Sequence, residues 1–78
     1  MSIVEELADK LAKDAIEAAD TLDDDQLVNR IAEVIGASSP STEEAYRTAV
    51  RVRMAEARAR RYLEEQLSKG KAAPDRTG

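Results

Sequence analysis

The sequence predicts an all-α fold: a three-helix antiparallel bundle with a long C-terminal helix, completed by homodimerisation. Three observations lead there. Residues that build strands are scarce, with no Phe or Trp and two Tyr among 78 residues, while Ala, Glu, Leu and Arg dominate. Apolar residues recur at helical spacing in three separate stretches. A capping signature stands at the head of each stretch.

The first helix is expected over residues 2–21. Ser2 is placed to cap it, with Glu5 three residues on to reach back and close a capping box. Val4, Leu7, Ala8, Leu11, Ala12, Ala15, Ala18, Ala19 and Leu22 fall on one arc of this helix, and Glu6, Asp9, Lys10, Lys13, Glu17 and Asp20 on the opposite one. That pattern describes a helix with a single buried face.

A second helix is expected over 23–35. Asp23 with Gln26 repeats the capping pattern, and Leu22 and Leu27 stand at the positions of a hydrophobic staple. The apolar face of Leu27, Val28, Ile31, Ala32, Val34 and Ile35 would lie about half a turn from that of the first helix if the two were continuous. A corner near Thr21 to Asp23 is therefore required. Gly36 reads as the left-handed residue that ends this helix, before the polar connection Ala37-Ser38-Ser39-Pro40.

The third helix, expected over 41–69, starts at a capping box of Ser41 with Glu44 and stops at Gly70. Residues 1–70 form one domain on this reading, and residues 71–78, with Pro74 and no apolar period, form a disordered tail. The helix carries two apolar stripes. One holds Ala45, Ala49, Val52, Ala59, Leu63 and Leu67, flanked by Ala55 and Tyr62; the other holds Tyr46, Val50, Met54 and Ala57 and is confined to the first half. A charged line of Arg53, Glu56, Arg60 and Glu64 runs between them. At about 1.5 Å per residue the third helix is near 43 Å long and the first near 30 Å, so the other helices cannot cover it all.

Composition points the same way. A chain of this size seldom gains more than about 3 to 5 kcal/mol from one core. It has no Cys for a disulfide, and no Cys or His for a structural zinc. Regular helix packing and self-association remain. Residues 1–35 carry three basic and ten acidic side chains, a balance of −7, whereas residues 36–78 carry nine basic and six acidic, a balance of +3. The two segments attract, in cis or across a dimer. The N-terminus lacks the pattern of a signal peptide and no stretch approaches the ~20 apolar residues of a membrane span, so the expected location is cytoplasmic, with no membrane partner.

Candidate sites are few. Asp20, Asp23, Asp24 and Asp25 lack the alternating ligands of a calcium loop, and helix capping accounts for them; no metal or cofactor is expected. Without His or Cys, and with Ser38 and Ser39 lacking a base, no catalytic residue stands out. The function expected is a non-catalytic protein-protein interaction module, an adaptor, regulator or inhibitor that also self-associates. Its contact residues are Val52, Met54, Glu56, Arg58, Ala59, Arg60, Tyr62, Leu63 and Leu67. Tyr62 is assigned to contact and Tyr46 to the rim of the core. Two rivals follow from the same helix. A nucleic-acid-binding regulator would use the face of Arg47, Arg51, Arg58 and Arg61, against which stand the acidic total and the lack of stacking aromatics. A small helical enzyme would need a pocket at Arg53, Glu56 and Arg60.

Overall fold

The computed structural model describes residues 2–72. They form three helices, α1 (Ile3–Leu22), α2 (Leu27–Gly36) and α3 (Pro40–Ala72). The start of α1 follows its sequence. Glu5 N donates to Ser2 Oγ at 3.1 Å and Ser2 N donates to Glu5 Oε1 at 3.0 Å, so both halves of the capping box form. The same bonding holds the Glu5 carboxyl below the usual carboxylate range.

The corner after α1 differs from expectation. Asp23 does not open α2; it closes α1 in the left-handed region, at φ 53° and ψ 47°. Its N–H bonds to the Asp20 carbonyl at 3.2 Å, and the Asp24 N–H bonds to that of Ala19 at 2.9 Å. This is a Schellman ending, and Asp is one of the few residue types with a side chain that tolerates its left-handed position. An N-cap needs extended backbone, so the residue cannot serve both roles. Asp24 makes the next turn instead: its Oδ1 accepts from Gln26 N at 3.0 Å and its Oδ2 from Arg30. Helix α2 then starts at Leu27, four residues later than expected, with no side-chain cap.

Gly36 is also used differently. It lies inside α2 and has no positive φ. What its missing side chain provides is room: a Cβ there would run into the Glu43 carboxylate, which accepts from Arg47 Nε at 2.9 Å. The glycine leaves room for the Glu43 side chain of α3, whose flexible end would have to move aside for a Cβ.

Helix α3 begins before the expected Ser41. Thr42 N donates to Ser39 Oγ at 3.2 Å, and the Ser39 hydroxyl lies 2.7 Å from that of Thr42, which makes Ser39 the cap. Pro40 takes the first helical position, where its absent N–H costs nothing. At the other end the helix passes through Gly70 to Ala72. A glycine inside a helix costs only about 1 kcal/mol relative to alanine, which does not stop a helix already propagating. Of the tail expected to be disordered, residues 71 and 72 belong to α3, and 73–78 lie outside the described residues.

The helices run up, down and up. Tyr46 and Arg47 of α3 meet Val28 and Asn29 of α2, while Arg53 meets Asp9 and the starts of α1 and α3 lie side by side. Thus α2 is antiparallel to both neighbours, and α1 and α3 are parallel to each other. Each pair of helices is in contact, α1 with α3 most extensively.

The core is small. Ala8, Ala12 and Ala15 of α1 and Ala32 of α2 surround Tyr46, and these are the buried residues; Val28, Ile31, Ile35, Ala45, Ala49 and Val50 close around them partly exposed. Four alanines let the helix axes come close, and Tyr46 fills the space between. It is wholly buried, at the centre of the core rather than its rim, and its hydroxyl donates to the Val28 carbonyl at 2.9 Å. The fold extends 58 by 30 by 12 Å. Its length comes from α3: every residue from Met54 to Gly70 is exposed, a projecting segment of about 25 Å.

Candidate interaction surface

All nine expected contact residues lie on α3 between Val52 and Leu67, and all are exposed. At about 100° per residue they do not share one face. Val52, Ala59, Leu63 and Leu67 line one stripe, with Glu56 in it. Tyr62 sits on one margin and Arg60 on the other. Met54 and Arg58 point to the far side, where Met54 joins Val28, Tyr46 and Val50 around a shallow hollow at the α2–α3 seam. One flat partner therefore cannot touch Leu63 and Met54 together. Leu63, Leu67 and Tyr62 are 51%, 57% and 65% exposed, large values for bulky apolar side chains.

The stripe is continuous with a groove that the sequence did not reveal. Between α1 and α3, Val4, Ala45, Thr48, Ala49 and Val52 line an open, mostly apolar hollow of about 600 Å³, with Ser2, Glu5 and Asp9 on its α1 side and Ser41 and Glu44 on its α3 side. Its signal lay in the spacing of Ala45, Ala49, Val52, Glu56, Ala59 and Leu63, which alternates four and three. What could not be read was that α1 would leave this line uncovered. Leu7, counted among the core residues of α1, is 60% exposed, and Ile3 is more exposed still.

The charged line is divided. Arg53 turns to α1, its Nε donating to Asp9 Oδ1 at 2.7 Å and its Nη2 to Oδ2 at 2.8 Å. The acidic first helix thus grips the basic third helix in cis at this point. Glu56 and Arg60 pair with each other along the helix, at 2.6 and 2.8 Å. Arg53 thus pairs across to α1, whereas Glu56 and Arg60 pair with each other. On the arginine face, Arg47 bonds to Glu43 and Asn29, and Arg51 approaches Glu44 at 3.7 Å. Arg58 and Arg61 stand exposed beyond the bundle. Among the described residues no three metal-ligating side chains form a group, and no helix is long and apolar enough to cross a membrane.

The Asp9–Arg53 pair gives α1 a pH dependence. Hydrogen bonds from Arg53, with its charge, hold the Asp9 carboxyl below the usual carboxylate range. The stabilisation it supplies is present above the ordinary carboxylate pKa and is lost as pH falls through the lowered one. The wild type should therefore lose stability more steeply than Arg53→Gln as pH falls below about 4, because in the variant Asp9 has lost its charged partner. Equal acid slopes for the two would remove the pair from the stability of the fold.

Comparison with protein-family models, with curated proteins and with solved structures finds no match.

Proposed function

We propose that this chain is a non-catalytic helical interaction module that self-associates along α3, the dimer then presenting its outer faces to another protein. One observation carries the reading. The bundle buries four alanines and one tyrosine, while α3 continues for 17 exposed residues with Leu63 and Leu67 in line with Val52. A core that small, in a chain with no cysteine for a disulfide, sits at the lower limit of independent stability. Contiguous apolar surface of this kind marks an interaction site. The length of the stripe suits a helix laid along it better than a point contact.

The measurement is absolute mass by light scattering behind a sizing column, at two well-separated protein concentrations. A dimer at both is the expected result. A folded monomer at both would overturn self-association.

A further inference from the structure

We infer that the occupant of the groove between α1 and α3 is the projecting end of α3 from a second copy. The two α3 helices then lie antiparallel, and each bundle receives a fourth helix. The inference rests on the self-association proposed above and specifies its geometry.

The stripe is laid out to match itself when reversed. Ala45, Ala49, Val52, Glu56, Ala59, Leu63, Gln66 and Gly70 follow one another at alternate steps of four and three, the repeat that keeps a seam facing a partner helix. Its small members, Ala45 and Ala49, lie in the half that borders the groove; its large one, Leu63, lies in the half that projects, with Leu67 beside it. Turning one copy end for end therefore brings the half that carries Leu63 and Leu67 over the half that borders the groove. In the register centred between Ala57 and Arg58, Leu63 packs against Val52 of the second copy, Glu56 against Ala59, and Gln66 against Ala49. Leu67 comes level with Thr48 at the groove, and Tyr62 lies near Ala55.

The charges agree with this direction. Antiparallel packing brings Glu64 near Arg53 of the second copy and Lys69 near Glu44. Arg53 and Arg60 meet on one margin, each already holding a carboxylate, Asp9 and Glu56. A parallel dimer in register would set Glu56 on Glu56 in the middle of the seam, alanine on alanine over an unfilled groove, and leucine on leucine. Like charges so placed disfavour that arrangement. The contact runs over residues 45–70 of each copy, of which roughly four positions in seven face the partner helix.

The chain has no cysteine, so introduced thiols report position without interference. Val52→Cys and Leu63→Cys chains, each at an exposed site, are prepared separately, checked for dimer mass under reduction, then mixed and treated with a short bis-maleimide. The expected result is covalent dimer in the mixture and little in either variant alone, because like residues stand about 11 positions, or ~16 Å, apart along an antiparallel seam. Thr48→Cys with Leu67→Cys is a second pair in the same register, for use if either first variant loses dimer mass. Cross-linking of each variant with itself would make the seam parallel and overturn the inference while leaving self-association in place. A dimer by mass that links in neither mixture would overturn it also. A monomeric wild type would remove both proposals together.

Discussion

Tyr46→Ala is expected to unfold the bundle. Removing a large buried aromatic side chain costs about 3 to 5 kcal/mol, comparable to the whole of what a single core of this size supplies. The remaining buried residues are alanines, with no side-chain length to collapse into the cavity. The loss is also distributed. Tyr46 touches the core from α3, its hydroxyl reaches α2 at Val28, and the α1 alanines pack around its ring. The measurement is far-ultraviolet circular dichroism against urea: the variant should lack a cooperative transition under conditions where the wild type shows one. A cooperative transition within about 1 kcal/mol of the wild type would show that Tyr46 is not the centre of the fold.

Tyr46→Phe separates the ring from its hydroxyl. The ring volume is kept and the hydrogen bond to the Val28 carbonyl is lost, for a cost of about 1 kcal/mol. Burial pushes the Tyr46 phenol above its ordinary range. Its stabilising contribution is therefore present below the ordinary phenol pKa and is lost as pH rises through the raised one. The phenylalanine variant should show less alkaline loss of stability than the wild type.

The second large effect is expected at Leu63. Burying a leucine contributes about 1.5 to 3 kcal/mol, and a two-fold interface counts it twice. Leu63→Asp should therefore weaken association by roughly 10² to 10⁴-fold, before the cost of burying a charge is added. Helicity of the bundle should be unchanged, since Leu63 is exposed and distant from Tyr46 and the alanines. Val34→Asp is the control: Val34 is also apolar and exposed, but lies on α2, and its mass should match the wild type. A Leu63→Asp chain that keeps dimer mass would sink the assignment of the α3 stripe to self-association. A Val34→Asp chain that turned monomeric would move the interface to another surface.

Much of the architecture was legible because periodicity and capping agree. Ser2 with Glu5 marks α1 correctly, and three apolar periods give three helices. The misplaced boundaries have a common physical cause: a residue type that suits two backbone states. Aspartate serves both an N-cap and a left-handed ending, and Asp23 takes the second because Asp24 and Gln26 form the following turn. Three serines surround Pro40, and the preference of proline for the first helical position selects Ser39 as cap. Gly36 reads locally as a terminator, whereas its role depends on Glu43 arriving from another helix. The exposed stripe could be foreseen from the mismatch in helix lengths. The groove could not, because it depends on how α1 is rotated against α3, which a one-dimensional pattern leaves open.

The projecting half of α3 has a thermodynamic character of its own. Beyond Met54 at the α2–α3 seam its residues are all exposed through Gly70, so its backbone order rests on the helix–coil balance of its own residues, propagated from the turn that Tyr46 and Arg53 anchor. Isolated helices shorter than about 12–15 residues are marginal in water even when rich in alanine, and this segment is only a little longer. Nucleation is supplied by the bundle, so fraying proceeds from the free end inward. Any partner that covers Leu63 and Leu67 draws that equilibrium toward the helix, and ordering of the segment becomes linked to occupancy of the groove. If that partner is a second copy, as proposed, the structured length of the chain should rise with its own concentration. On the self-association proposed above, a dilute copy and a crowded one should differ in how far along α3 the amide protons resist exchange with solvent, with the same bundle in both.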